Sequence, residues 1–203
     1  MIHIPYLASH FPGHLHAHFN GPRTLIASPS ALLWATITVG RRDWPDVLQH
    51  GQYSVYESLY RSLMVAANLM LDSNNRVIHT PAFNGLDPSE KGAVSYFFGL
   101  MTGKLFGAVL GVPWIMHLKV YEHLYQPIQY TGRKRPDLFG FDRNMELLIM
   151  EAKGRSNGIE AGLIQKAKGQ TTALQDVQGI APSLTVDGRV FELLAAARRK
   201  WAP

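Results

Sequence analysis

The stretch from Arg135 to Gly154, RPDLFGFDRNMELLIMEAKG, restricts the fold more than any other part of the chain. Two short apolar runs flank a polar turn, the pattern of an antiparallel hairpin. Side chains of a strand alternate between faces, so Asp137 shares a face with Phe139 and Phe141, and Glu151 shares one with Lys153. A hairpin centred near Asn144, a residue type that tolerates a left-handed backbone, sets Asp137 opposite Glu151. Their Cβ atoms would then stand roughly 5 Å apart. At that spacing two carboxylates repel unless a cation or a proton intervenes.

The chain has 203 residues, enough for one well-buried domain with an appended part. Apolar residues make up 46% and charged residues 17%, which excludes a disordered chain. Cysteine is absent, which excludes a disulfide scaffold and thiolate metal sites; with no secretory leader evident, a cytoplasmic protein is expected. The net charge of +5 favours a polyanion such as DNA as partner.

The first fifty residues are rich in His, Pro and Gly. In HLHAH an extended strand would align His14, His16 and His18, but without a nearby carboxylate a metal site is not expected there. Leu32 to Val39 reads equally as a buried strand or the start of a helix. Asp46 to Leu71 is mainly helical, with Tyr56, Leu59, Tyr60, Leu63, Ala67 and Met70 at helical spacing. On it Glu57 and Arg61 form an i, i+4 pair expected at the surface. A second helix starts at a capping box, Asp87-Pro88-Ser89-Glu90, and runs to about Leu110, where Gly111-Val112-Pro113 ends it. Lys104 and several glycines interrupt the apolar stretch Gly92 to Leu118, so a buried core helix is expected and no membrane association. Gly99, Gly103 and Gly107 would let that helix lie close to a sheet or another helix. Trp114 to Tyr125 reads as extended, or as a strand followed by a helical turn. Arg133, Lys134 and Arg135 form a basic loop before Asp137, either solvated or facing a phosphodiester. Beyond a flexible connection at Gly154 to Gly158, a helix is expected from Ile159 to about Val177, carrying Lys166 and Gln170. Ser183 to Val186 is a candidate strand.

Two carboxylates on adjacent strands suit a hard divalent cation, Mg²⁺ or Mn²⁺, and the main-chain oxygen of Ala152 is a further donor. Such a cation offsets the repulsion and lowers the pKa of a water, while Lys153 is placed to orient that water and stabilise charge on a phosphate. These parts describe hydrolysis of a phosphodiester.

Pro136-Asp137 followed by Glu151-Ala152-Lys153 resembles the signature of the PD-(D/E)xK nuclease superfamily. The basic loop, the turn, EAKGR and the helix with Lys166 and Gln170 strengthen the resemblance, which spans roughly residues 87 to 186. It implies a restriction-endonuclease-like αβββαβ core, a central mixed β-sheet flanked by helices. Residues 87–203 would form that core, and residues 1–86 an N-terminal helical or irregular extension packed on it. It further implies Asp137 and Glu151 as metal ligands, Lys153 as the catalytic lysine and Gln170 beside the site, with Lys166 and the basic loop at the substrate. Many members carry an acid on the first helix; here Glu90, already used in a capping box, is the only acid beyond the helix start. The expectation is a Mg²⁺-dependent deoxyribonuclease, with a homodimer as an admissible assembly. The competing reading is the same fold used without catalysis, as a nucleic-acid-binding or scaffolding module.

Overall fold

A computed structural model describes residues 1–8, 13–151 and 169–187 of the chain. The protein is mixed α/β, built from helices and several small sheets. The N-terminal part holds β1 (Ile2–Ala8), α1 (Gly13–Phe19), β2 (Gly21–Ala27), α2 (Pro29–Thr38), α3 (Trp44–Leu48), α4 (Gln52–Asn68), β3 (Leu69–Leu71), β4 (Val77–His79) and α5 (Pro81–Gly85). The remainder holds α6 (Pro88–Val109), β5 (Met116–His117), α7 (Leu118–Tyr121), a 3₁₀ turn (Glu122–Leu124), β6 (Ile128–Tyr130), β7 (Leu138–Phe141), β8 (Leu147–Glu151), β9 (Leu174–Val177) and β10 (Pro182–Asp187).

The largest sheet has four strands in the order β10-β8-β7-β5, with β7 antiparallel to both neighbours and β10 parallel to β8. Among the described residues three two-stranded sheets accompany it: β1–β2, β3–β4 and β6–β9. Alternation along the central strands divides the core. Leu138, Leu148, Met150 and Val186 join the cluster that includes α6, α2 and β1, whereas Phe139, Leu147 and Ile149 pack with Tyr121, Leu174 and Val177 on the other side.

Helix α6 begins as its sequence requires. Asp87 accepts from the Ser89 N–H at 2.8 Å, and the Glu90 carboxylate returns to accept from the Asp87 N–H at 3.0 Å. Gly111, at φ +88°, follows its end. Two of its glycines are packing requirements: a Cβ on Gly103 would stand 2.7 Å from Met150 Sδ, and one on Gly107 would stand 3.1 Å from the Val112 main-chain oxygen. Among the described residues α6 is the one helix long and apolar enough to cross a membrane, yet 67% of its most apolar window is buried inside the protein. Lys104, fully buried, lies with Nζ 4.6 Å and 4.3 Å from the ring centroids of Trp34 and Trp114 and donates to the Thr38 carbonyl at 3.3 Å.

Several local readings are decided or corrected. Leu32 to Val39 belongs to α2, started by Pro29 and capped by Ser28, whose hydroxyl accepts from the Ala31 N–H. HLHAH lies in α1, so the strand geometry that would align three imidazoles does not arise. The helix expected to reach Val177 stops at Thr171, and Leu174–Val177 is a strand because β6 offers it an antiparallel partner. The Glu57–Arg61 pair is no isolated surface bridge. Glu57 lies 2.6 Å from both Arg41 and Arg61, and Arg61 also donates to the main-chain oxygens of Ile37 and Val39. Finally, the apolar stripe that marks α4 as a helix is its outer face, while Ser54 and Asn68 are buried.

Candidate functional site

The β7–β8 register pairs Leu138 with Met150 and Phe139 with Ile149, so the next step outward sets Asp137 opposite Glu151. The turn follows from Asp142, whose Oδ1 accepts from the N–H groups of Asn144 and Glu146, both at 2.8 Å, while Met145 takes the positive φ of +62°. At the other end of the hairpin the Asp137 N–H donates to Glu151 Oε2 at 3.0 Å. Glu151 is fully buried, and Asp137 is half-buried.

Two further side chains converge on the pair. Tyr96, on α6, approaches the Asp137 carboxylate. Its hydroxyl is pushed up to about 12 by burial and by the charges of Asp137 and Glu151, so it keeps its proton. His117, at the end of β5, is pushed down by burial and by Arg61; the charge and main chain of the nearby Asp137 act the other way. The Leu118 N–H also binds the Asp137 carbonyl, at 3.1 Å. Gly40 makes room for the imidazole: at φ +78°, a Cβ there would stand 2.1 Å from His117 Cδ2. Asp137 is therefore held through its N–H by β8 and through its carbonyl by α7, with Tyr96 of α6 and His117 of β5 beside it.

The basic loop lies beside this pair. Gln170 Nε2 donates to the Arg135 carbonyl at 3.2 Å, and its Oε1 is buried with no hydrogen-bond partner among the described residues. Lys134 Nζ stands 3.1 Å from where a Cβ on Gly169 would be, so the loop rests against the helical turn that carries Gln170. Arg135 is already engaged: its guanidinium stacks 3.4 Å above the Tyr130 ring and its Nε lies 3.9 Å from Glu122. Arg133 and Lys134 are exposed. Ala152, Lys153, Lys166 and the connection Gly154 to Gly158 lie outside the described residues.

The structure thus brings together Asp137, Glu151, Gln170 and the basic loop. It keeps Glu90 in its cap and Glu57 between two arginines. Sequence reasoning missed Tyr96 and His117. Their residue types carried a signal, a phenol and an imidazole amid apolar stretches, but their shared target depends on how α6 and β5 meet the hairpin. Among the described residues no group of three or more His, Cys, Asp and Glu is arranged to hold a metal ion. Compared with family models, curated proteins and solved structures, the chain matches none.

Proposed function

We propose that this chain is a divalent-cation-dependent nuclease acting on DNA, with a restriction-endonuclease-like core. The observation that carries the reading is Asp137 opposite Glu151 at one end of the two central strands, with Lys153 two residues beyond. The order of elements supports it: α6, then β5, β7 and β8, then the helical turn at 169–171 and β10 parallel to β8.

The donor set fits Mg²⁺ or Mn²⁺. Both donors are carboxylates on a rigid hairpin, one of them fully buried, and hard cations accept oxygen and keep several waters. Asp137, Glu151 and the Ala152 carbonyl would hold the cation, which supplies polarisation of the phosphoryl oxygen and a more acidic water. Tyr96 stands beside the Asp137 carboxylate as a protonated phenol, and Glu151 fixes the chain by accepting from the Asp137 N–H. Lys153 orients the attacking water and meets charge developing on the phosphate. Arg133 and Lys134 attract the DNA backbone, and Gln170 braces their loop.

The test incubates purified protein with linear, circular and branched DNA in Mg²⁺, Mn²⁺ or chelator. Cleavage is expected with metal only, and Asp137→Ala and Lys153→Ala are expected to lower it by about 100-fold or more. Undiminished cleavage in both variants overturns the assignment. A second reading, a DNA-binding module without catalysis, is favoured by Tyr96: a phenol, not a carboxylate, approaches Asp137 from the helix. It predicts binding without cleavage in any metal.

A further inference from the structure

Helix α4 is built with its apolar side outward. Tyr53, Tyr56, Leu59, Tyr60 and Leu63 are 67%, 59%, 55%, 68% and 66% exposed, and Met70 just beyond the helix is 44% exposed. The inward side is mostly polar, although Val65 packs against the core. The hydroxyls of Ser58 and Ser62 are satisfied by the carbonyls of Ser54 and Ser58 at 2.8 Å and 2.7 Å, and the Asn68 amide donates to the Met64 carbonyl at 2.8 Å. Burial on this protein therefore does not explain why the outer stripe is apolar.

Three features point to the occupant. The spacing Tyr56, Leu59, Leu63, Ala66 alternates three and four residues, the seam of a helix that pairs with another helix. The only charged residues of α4, Glu57 and Arg61, are half-buried and locked to each other and to Arg41, so the outer face carries no charge and two copies of it do not repel. The area also suits a dimer. Tyrosines bury on the order of 150 to 250 Å² each, so three of them exposed to this degree, with the neighbouring Leu, Val and Met, offer about 800 Å². That matches the roughly 800 Å² per partner of a stable interface and exceeds the ~300 to 600 Å² patch ordinary for a monomer.

We propose that this face is the interface between two copies of the chain, with their α4 helices antiparallel across a twofold axis near the middle of the helix. Leu59 of one copy then meets Leu63 of the other, twice. The ends are complementary too. Tyr53 of one copy comes beside Leu69 and Met70 of its partner, where an apolar cavity of about 230 Å³ opens between α2 and α4, lined by Leu33, Val65, Leu69 and Met70. A cavity of ~150 Å³ already accepts a benzene ring.

The proposal is independent of the nuclease reading, and its test uses no activity. Sedimentation of the full chain across the micromolar range is expected to show a dimer. Leu63→Glu is expected to raise the dimer dissociation constant by about 100-fold or more while the monomer keeps its circular dichroism and melting temperature, because the position is exposed. Tyr53→Cys with Met70→Cys gives the register in a chain that has no other cysteine. Tyr53 lies in the first turn of α4 and Met70 beyond its other end, with roughly 20 Å of helix between them, so a disulfide between the two positions links two copies. A covalent dimer is expected from the double variant on oxidation and not from Tyr53→Cys alone. A wild-type monomer throughout the range, or a dimer that survives Leu63→Glu, overturns the proposal. A monomer that sediments with phosphatidylserine vesicles, and loses them on Leu63→Glu, overturns it in favour of a membrane surface.

Discussion

Helices α4 and α6 meet where the Arg61 guanidinium lies 5.7 Å from the Phe97 ring centroid, and are built on opposite rules. Helix α6 is apolar on nearly every side and buried along most of its length, and its glycines remove side chains where Met150, Val112 and Ile115 press against it. Helix α4 turns serines, an asparagine and a charge network toward the protein and keeps its tyrosines and leucines outside. Their buried cations differ in the same way. Lys104 on α6 sits between two indole faces with a carbonyl as its oxygen partner, whereas Arg61 on α4 shares Glu57 with Arg41. An inward face need not be apolar to be stable; it must leave few polar groups unsatisfied.

If α6 is held by close approach, adding volume to its glycines must be costly. Gly107→Leu is expected to destabilise the fold by about 3 kcal/mol, because the nearest obstacle is main-chain oxygen that cannot swing aside. Urea unfolding monitored by circular dichroism measures this, and a loss below about 1 kcal/mol would mean that the helix packs more loosely than the contacts require.

The network under α4 is expected to matter less. Burial raises the pKa of Glu57, but its bonds to Arg41 and the charges of both arginines outweigh that and hold the carboxyl below its ordinary value. Its contribution is present above the unfolded value of 4.5 and is lost as pH falls through the lowered folded value. Glu57→Gln is therefore expected to cost about 2 kcal/mol at pH 7, in a side chain one-third exposed, and much less near pH 3. Equal losses at the two pH values would show that packing, not charge, is what the residue supplies.

Lys104 gives the most specific signal. Burial pushes its ammonium down to about 7, below the unfolded value of 10.5. Between those values the unfolded chain binds the extra proton, so stability is expected to rise with pH, by up to about 1.4 kcal/mol per unit. Lys104→Met is expected to flatten that rise in denaturant titrations at successive pH values. A slope unchanged by the substitution would assign it to other groups.

The legible parts of the fold were those with short-range causes. A polar turn between two apolar runs fixes a hairpin register, so Asp137 opposite Glu151 followed from spacing, and a box of four residues fixed the start of α6. What failed depended on partners distant in sequence. The strand Leu174–Val177 exists because β6 pairs with it, although its residues also continued a helical pattern. Similarly, the apolar stripe of α4 announced a helix but not which side faces the protein.

The sequence by itself therefore determined the hairpin, its two carboxylates and the helix caps, because adjacent residues dictate turn geometry and side-chain alternation. Only the tertiary structure decided what surrounds them. Tyr96 and His117 reach Asp137 from α6 and β5, Gln170 meets Arg135 from thirty-five residues away, and Arg41 joins Glu57 across the α2–α4 junction. Hydrogen bonds and ion pairs act over a few ångströms, so which side chains share a site is set by how elements pack.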